Sequence, residues 1–353
     1  MTTALPVAFY RTESLEDVAA IATGDSGYLV TVEHTRELAA PALTVPSERT
    51  IWRFWKPDRE GTSFHEASHR TVILPLSTSV VMTLENNRLI ALAHVNEPKP
   101  AFLLAWDTRA GDAPHLGESA TSHLTIELDR LEAAKVQIPL KYSWNTRTLP
   151  ESRWLFHPSL ASLPGGAQVA LAMNTADGRA VVWTSDGVDK PKPLAFLPGA
   201  LNPVLIRVSG KDRLLYRRMP ADWSVYYHDL RYSGQYGPIA LPLAMAELDS
   251  DGGIAHSNDL SQGQGVGNVF DFVAANAGTR LVLAVVSGTK EAPELRVYVG
   301  DPTGGTLHLL RTARVRGVPY RLTMAVAGGG ALIGLAYTTE RGSELEGTIV
   351  QLQ

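Results

Sequence analysis

Short apolar segments separated by tight turns recur along the whole 353-residue chain, and this rhythm constrains the fold more than any other feature. The segments are rich in valine, isoleucine, leucine and aromatic residues. Glycine, proline, asparagine or aspartate bounds most of them, which is typical of strands. Helical periodicity is limited to short stretches such as SLEDVAAIA (14–22) and LDRLEAAKV (128–136). We therefore predict an all-β protein.

The strands are grouped in units. An apolar strand, a polar turn with glycine and another apolar strand recur, as in IWRFWKPDREG (51–61), and two more strands precede several of these hairpins. Four-stranded units of about 40 to 50 residues fit a single closed β-propeller over residues 1–353. Seven blades fit the length best, and six fit if the weak third unit merges with a neighbour. The predicted blades are 15–65, 71–120, 121–150, 154–198, 202–243, 266–312 and 318–353.

We expect the strands at the two ends of the chain to close the ring of blades. An unpaired strand edge invites aggregation, so PVAFYRT (6–12) is expected to lie beside the last blade. A two-domain β-sandwich is the structural alternative.

One hairpin carries a resemblance to known proteins. AFLLAWDTRAGD (101–112) places Trp106 and Asp107 at a strand end before Gly111. It resembles the strand-end Trp-Asp pairs of WD40 blades and the hairpins of quinoprotein-type propellers, so the chain is similar to the β-propeller superfamily. The Gly-His signature of WD40 blades and the repeated tryptophan motifs of quinoprotein dehydrogenases are absent from the sequence. The resemblance therefore implies a fold, and it assigns no functional residue.

Composition argues against several partners and chemistries. The formal charge of −4, from 32 basic and 36 acidic residues, gives no positive field that would concentrate nucleic acid. The absence of cysteine removes disulfides, thiolate nucleophiles and cysteine metal sites. No apolar run reaches about 18 residues and the start lacks a leader pattern. We expect no membrane span and, by default, a cytoplasmic protein, with a trimmed secreted or periplasmic protein as the alternative.

Arginine is concentrated in two stretches. We expect these side chains to be solvated on strands and loops, with an anion-binding patch as the alternative. The two sets are Arg207, Arg213, Arg217 and Arg218, and Arg311, Arg314, Arg316 and Arg321.

Two short stretches match catalytic motifs. His65, Glu66 and His69 have the HExxH spacing of zinc peptidases, which needs a helix so that both imidazoles reach one metal. A strand follows the motif directly, and residues four apart on a strand are separated by about 13 Å. GDSG (24–27) matches the segment around the nucleophile of trypsin-like proteases, but no histidine precedes Ser26 to serve as its base. We predict that neither motif is functional.

Segment 142–158 is a candidate recognition surface. Aromatic and arginine side chains together are typical of binding sites, because they provide large contact areas and directed hydrogen bonds. Packing of both tryptophans between blades is the alternative. The predicted ligand-binding residues are Trp144, Arg147, Arg153, Trp154 and His157.

A second segment approximates a calcium loop. Glu247, Asp249 and Asp251 alternate before Gly252, as oxygen ligands do in such loops. Asn258 stands where the loop needs a bidentate glutamate. We predict no cofactor beyond weak calcium binding here, and an ordinary acidic turn is the alternative.

No spacing identifies catalytic residues, because a propeller enzyme draws them from different blades. Our main prediction is a non-catalytic binding or scaffolding protein that recognises a protein or another ligand through loops on one face. The alternative is a propeller hydrolase or lyase acting on a carbohydrate or other small molecule at the central channel, so the question of catalysis stays open. Carboxylates or histidines converging in a deep pocket would indicate the enzyme, and a shallow apolar or aromatic surface would indicate the binding protein.

Overall fold

A computed structural model describes most of the chain, and the statements below concern the residues that it describes. These are residues 6–39, 47–75, 79–85, 88–94, 101–107, 116–120, 122–126, 155–163, 168–175, 179–185, 192–208, 210–219, 239–249, 253–301, 303 and 305–352.

The described residues form antiparallel strands almost throughout, arranged in groups of four that follow the chain. Group 1 consists of β2 (Leu15–Thr23), β3 (Ser26–Ala39), β4 (Ser47–Pro57) and β5 (Phe64–Pro75). Group 2 consists of β6 (Ser79–Glu85), β7 (Arg88–His94), β8 (Ala101–Asp107) and β9 (Ser122–Ile126). Group 3 consists of β10 (Leu155–Leu163), β11 (Gln168–Thr175), β12 (Arg179–Ser185) and β13 (Lys192–Pro198).

The second half of the chain repeats this arrangement. Group 4 consists of β14 (Ala200–Val208), β15 (Lys211–Arg218), β16 (Leu241–Leu248) and β17 (Ile254–Asp259). Group 5 follows the short helix α1 (Leu260–Gly263) and consists of β18 (Asn268–Ala277), β19 (Arg280–Gly288), β20 (Pro293–Gly300) and β21 (Leu307–Arg314). Group 6 consists of β22 (Arg321–Ala327), β23 (Gly330–Thr339), β24 (Gly342–Gln351) and the N-terminal strand β1 (Val7–Thr12).

The first strands of the groups surround a common centre. β2, β6, β10, β14, β18 and β22 contact one another in chain order, and β22 also contacts β2. Among the described strands, ladder pairing joins neighbouring groups only between β16 and β18, at two residue pairs. The other groups meet mainly through side chains and a few single hydrogen bonds, such as that from the Ile73 N–H to the carbonyl of Glu118 (2.8 Å). β1 pairs with β24 from Val7 to Thr12, which confirms that the N-terminal segment lies beside the last unit.

Two hydrogen bonds indicate that β6 runs in the same direction as β2, and β18 in the same direction as β14. The Val80 N–H near the start of β6 donates to Asp17 Oδ2 near the start of β2 (3.2 Å). Near the other end, Asn276 Nδ2 of β18 donates to the carbonyl of Arg207 on β14 (2.6 Å). The first strands thus surround a central cavity of about 400 Å³. We call the end where they begin the mouth and the opposite end the far end.

Apolar side chains fill the spaces between the groups. Trp52 of β4 and Trp106 of β8 are almost completely buried, and their ring centroids lie 5.1 Å apart in an edge-on contact between groups 1 and 2. Truncating a buried aromatic residue of this kind typically costs about 3 to 5 kcal/mol. These layers hold the first strands, and therefore the mouth, in a fixed arrangement.

The structure confirms an all-β chain and changes some predicted boundaries. SLEDVAAIA, which has helical periodicity, lies mostly in strand β2. Its apolar residues are buried on both faces, with Ala19 and Ile21 in one core cluster and Ala20 in another, so the alternation that marks a half-buried strand is missing. Residues 64–75 form one continuous strand of group 1, whereas we had predicted the second unit to begin at residue 71.

The weak third unit, 121–150, is also changed. The structure places residues 122–126 in β9, the fourth strand of group 2, and residues 127–150 lie outside the described part of the chain. Within the described ranges, no helix has both the length and the apolar character needed to cross a bilayer.

Candidate functional site

Four charged residues meet at the mouth, and we call them the mouth cluster. They are Asp17, Arg217, Asp271 and Arg321. Asp17, Asp271 and Arg321 lie near the starts of β2, β18 and β22, which are neighbours around the cavity. Arg217, at the end of β15, approaches the same place from the second strand of group 4. Four residues that are distant in the sequence therefore converge at one end of the central cavity.

Asp17 and Arg321 form a buried bidentate ion pair. Arg321 Nε donates to Asp17 Oδ1 at 2.6 Å, and Nη2 donates to Oδ2. The Asp17 carboxylate also accepts hydrogen bonds from the N–H groups of Val18 and Val80, and only 4% of its side chain is exposed. Burial would lower the pKa of Arg321, but the charge and hydrogen bonds of Asp17 outweigh it and raise that pKa. Asp17 thus fixes the position of Arg321, which lines the cavity.

Asp271 is the partly exposed carboxyl group of the cluster. It lies two residues before Val273, which lines the cavity, and it follows a bulge in the pairing of β18 with β19. Burial raises the pKa of Asp271, although the charges of Arg217 and Arg321 and hydrogen bonds from the N–H groups of Phe272 and Leu322 lower it. A carboxyl group with a raised pKa carries a proton at a higher pH than an ordinary aspartate and can donate it.

Arg217 holds the backbone around Asp271. Its Nη1 donates to the carbonyls of Phe270 (2.5 Å) and Ile239 (3.2 Å), while Nε (3.0 Å) and Nη2 (2.5 Å) donate to Asn202 Oδ1. Asn202 has a φ of 54°, a left-handed conformation that asparagine tolerates better than most residues. Burial lowers the pKa of Arg217, and the charge of Asp271 offsets part of that effect. The guanidinium therefore links groups 4 and 5 next to Asp271.

An exposed aromatic side chain stands beside the mouth cluster. Tyr320 directly precedes Arg321, and 45% of it is exposed. Its hydroxyl donates to Ser343 Oγ at 3.4 Å, and burial of the phenol and the charge of Asp17 raise its pKa. An exposed aromatic ring beside acidic and basic groups can stack on the apolar face of a sugar while those groups bind its hydroxyls.

The far end has a different set of polar groups. Arg207 Nε and Nη2 donate to Asp212 at 2.6 and 3.0 Å, and the two residues are cross-strand partners in the β14–β15 hairpin. Asn276 lines the cavity, and its Oδ1 has no hydrogen-bond partner among the described residues. Two carboxyl groups and two guanidinium groups converge at the mouth, so we place the candidate active site there.

The predicted ligand-binding residues lie mostly outside the described part of the chain. The structure does not describe Trp144, Arg147, Arg153 or Trp154. His157 is on β10, which begins at the mouth, but the structure does not describe its side chain. Their role remains a prediction.

The predicted calcium residues have other partners where the structure describes them. Glu247 accepts hydrogen bonds from Lys211 (2.5 Å) and Arg213 (3.0 Å). These hydrogen bonds and the positive charges of the two donors lower the pKa of Glu247. Asp249 Oδ1 accepts from the N–H of Gly253 at 2.8 Å, and Asp251 lies outside the described residues. Over the described ranges no three metal-binding side chains come together. Calcium binding stays a prediction.

Two other sequence features have plain structural roles. The HExxH motif is on strand β5, where His69 Nδ1 lies 2.7 Å from Glu66 Oε1 and Arg53 bonds to Glu66. Our expectation of solvated arginines is wrong for Arg213 and Arg217, which are only 5% and 6% exposed. Arg213 Nη2 bonds to Glu247 on the neighbouring strand, and Arg217 Nε bonds to Asn202 Oδ1.

The residues predicted from the sequence as site residues do not include Asp17, Asp271 or Arg321. Each is a charged residue among apolar ones near the start of the first strand of a unit, as in VFDFVAA (269–275) and YRLTMAV (320–326). That position could have served as a signal, because first strands line the centre of a propeller and their starts share one end. Which charged residues meet there depends on how the units close.

Comparison with known proteins shows similarity of structure only. No protein-family model matches the sequence, and neither does any curated protein. The α-L-arabinanase of Penicillium chrysogenum, solved with arabinobiose, has a TM-score of 0.56 at 11% identity, covering 100% of this chain and 99% of that one. The endosialidase of phage phi92 has a TM-score of 0.55 at 10% identity, covering 99% and 69%. The sialidase of Trypanosoma rangeli, solved with the inhibitor DANA, has a TM-score of 0.53 at 11% identity, covering 96% and 55%.

These comparisons support the β-propeller fold and correct the main functional prediction. The prediction of a non-catalytic binding or scaffolding protein is wrong, because the three solved structures named above, which match nearly the whole of this chain, are carbohydrate-active enzymes by name. The mouth agrees with that correction, since carboxyl groups converge there instead of a shallow apolar surface. The alternative prediction, a propeller hydrolase with a carbohydrate ligand, is favoured.

Proposed function

We propose that this chain is a six-bladed β-propeller that hydrolyses a glycosidic bond at the mouth of its central cavity. The six groups of four strands and the ring of contacts among their first strands support this blade count. Blades of a propeller pack through side chains, so a ring without hydrogen bonds between most sheets is consistent with closure.

The observation that carries the proposal is the contrast between the two carboxyl groups of the mouth cluster. Asp17 is bound by the guanidinium of Arg321 and two backbone N–H groups, whereas burial raises the pKa of the partly exposed Asp271. Glycoside hydrolysis needs a carboxylic acid that still carries its proton when the substrate binds. Asp271 has the environment of such an acid.

The roles follow from these positions. Asp271 donates its proton to the oxygen that leaves the sugar. Water adds to the sugar carbon, and the proton that this water loses returns to the Asp271 carboxylate, so that the net reaction is hydrolysis. Arg321, held by Asp17, contacts the substrate as a cavity-lining hydrogen-bond donor, and Asp17 is a positioning residue. Tyr320 provides a stacking surface beside them. Carbohydrate is the substrate class because structures of this fold act on arabinan-type and sialic acid substrates by name.

The test is hydrolysis by purified protein of linear arabinan, sialyllactose and a panel of aryl glycosides between about pH 4 and 8. We expect sugar release from at least one of them, and Asp271→Asn should lower kcat by about 10²- to 10⁴-fold without changing the circular dichroism spectrum. Asp212→Asn is the matched control, because it neutralises a carboxylate at the far end. Absence of turnover on the whole panel would contradict the proposal, as would equal losses in both variants.

A further inference from the structure

Three arginines around the cavity present the same edge of the guanidinium, formed by Nε and Nη2, to an acceptor. Arg207 and Arg321 each present this edge to a carboxylate. Arg217 presents it to the side-chain amide oxygen of Asn202, at 3.0 and 2.5 Å. A planar fork of this kind fits a carboxylate best, and the pair then cancels two charges. The partner of Arg217 differs from the other two because it is neutral.

The charge of Arg217 is not cancelled by the groups that hold it. Arg217 donates four hydrogen bonds to the described residues, and all four end on neutral oxygens, two at Asn202 and one each at Ile239 and Phe270. Only 6% of Arg217 is exposed, so water screens its charge weakly. Burial lowers the pKa of Arg217, and the charge of Asp271 acts against that effect. The guanidinium therefore acts electrostatically on Asp271.

Arg217 is placed beside the point where a charge on Asp271 forms. Its Nη1 lies 2.5 Å from the carbonyl oxygen of Phe270, the residue that precedes Asp271. Arg217 from β15 and Arg321 from β22 are the cations that act on Asp271, and Asp17 of β2 lies behind Arg321. The charge of Arg321 is balanced by its own carboxylate partner. Arg217 is thus the cation whose charge Asp271 meets without a competing carboxylate bound to it.

We infer that Asn202 and Arg217 stabilise the carboxylate that Asp271 becomes when it gives its proton to the leaving oxygen of the sugar. The inference rests on the proposed function for this catalytic consequence. Both act through Asp271 and are positioning residues. The amide of Asn202 fixes the guanidinium without cancelling its charge, and a cation already in place when negative charge develops lowers the barrier without reorganisation.

The main test is Asn202→Asp, which keeps the shape of the side chain and adds one negative charge. Aspartate tolerates the left-handed conformation at this position (φ 54°) and gives Arg217 a carboxylate partner. The charge of Arg217 is then balanced, so the pKa of Asp271 should rise by about one unit. NMR of protein labelled at the aspartate carboxyl carbons measures this pKa, and the Asp271 signal is identified by its loss in Asp271→Asn.

Activity gives a second measurement on the same variant. In Asn202→Asp the alkaline limb of kcat/KM should move to higher pH by the same amount. The plateau value of kcat should fall about two- to tenfold, because a weaker acid protonates the leaving oxygen less readily. Asp17→Asn should move the limb in the opposite direction, since it uncovers the charge of Arg321. Opposite shifts distinguish an effect of charge from damage to the fold.

Two further variants complete the test. Asn276→Asp is the matched control, because it makes the same substitution on β18 at a distance of about 16 Å along the strand from Asp271. It should raise the pKa of Asp271 by at most about a third as much. Arg217→Gln removes the cation and keeps a donor for the carbonyl of Phe270, so it should also raise the pKa of Asp271 by about one unit. It decides the question if Asn202→Asp does not fold.

The outcomes separate this inference from the proposed function. An unchanged Asp271 pKa in a folded Asn202→Asp or Arg217→Gln variant overturns the inference, and so does an equal rise in Asn276→Asp. A raised pKa with an unchanged plateau kcat overturns the stabilisation during proton transfer. A raised pKa in a protein whose wild type hydrolyses no glycoside supports the electrostatic pairing and overturns the hydrolase.

Discussion

Two arginine–aspartate pairs of the same bidentate geometry lie at opposite ends of the central cavity. Arg207 and Asp212 are 5 residues apart and belong to one hairpin. Arg321 and Asp17 are 304 residues apart and join group 6 to group 1. The same kind of ion pair therefore has a different structural role at each end of the cavity. The far-end pair reinforces a hairpin that its own turn already forms, whereas the mouth pair depends on closure of the whole ring.

The surroundings of the two pairs differ as much as their positions in the chain. The Asp212 side chain is 16% exposed and Asp17 is 4% exposed. Two further charged residues, Asp271 and Arg217, lie beside the mouth pair. Burial favours the neutral form of both, because it raises the pKa of Asp271 and lowers the pKa of Arg217. Water therefore reaches the carboxylate of the far-end pair more readily than that of the mouth pair.

The largest expected difference is in stability. Asp17→Ala should lower the free energy of unfolding by about 3 to 5 kcal/mol, because it leaves Arg321 without its counter-ion and the Val18 and Val80 N–H groups without their acceptor. Asp212→Ala should cost about 1 kcal/mol or less. Urea unfolding of both variants measures this, and similar losses would show that ring closure adds nothing to the mouth pair.

The pH dependence of activity provides a second difference between the mouth pair and the far-end pair. Asp271 must be protonated to act as an acid, and burial raises its pKa, so activity should persist to a higher pH than for an ordinary aspartate. Above that pKa, kcat/KM should fall about tenfold per pH unit. Arg217, Arg321 and, behind Arg321, Asp17 are the charged groups that face Asp271.

The two pairs should affect this pH profile differently. Asp17→Asn removes the negative charge that compensates Arg321. The uncompensated guanidinium should lower the pKa of Asp271, so the alkaline limb of the profile should move to lower pH. Asp212→Asn should leave the limb in place. A limb that shifts equally in both variants, or that survives in Asp271→Asn, would show that another group titrates.

The smallest expected effect concerns Tyr320. Tyr320→Ala should weaken arabinobiose binding about three- to tenfold through loss of the stacking surface, while Tyr320→Phe should retain most of the affinity. Leu309→Ala is the control, because Leu309 is 52% exposed on β21, the strand of group 5 farthest from the cavity. Calorimetric titration with arabinobiose measures both. Equal affinities for Tyr320→Ala and the wild type would remove Tyr320 from the site.

Much of the fold was predictable, because strands and turns depend on local chemistry. β-Branched and aromatic runs such as RLVLAVVS (280–287) predict strands, and glycine turns such as GDSG (24–27) predict where they end. The helical periodicity of 14–22 does not correspond to a helix, because β2 is buried on both faces and lacks the alternation of a half-buried strand.

The site was not predictable in the same way. Asp17 and Asp212 are both aspartates near strand starts, and nothing next to them in the sequence distinguishes a buried inter-blade pair from a hairpin pair. The prediction placed binding on aromatic and arginine residues of 142–158, because composition was the signal available. A site made from four different strands has no signature at any single place in the chain.

The sequence by itself determined the all-β class, the unit rhythm and the pairing of the N-terminal strand with the last unit, because each depends on propensities over a few residues or on the need to cover a strand edge. Only the tertiary structure decided that Asp17, Arg217, Asp271 and Arg321 meet at one end of the cavity. Ring closure brings the starts of distant strands together, and burial there changes the pKa of Asp271 by removing water. Neither distance nor desolvation is a property of neighbouring residues in a chain, so both follow from the fold.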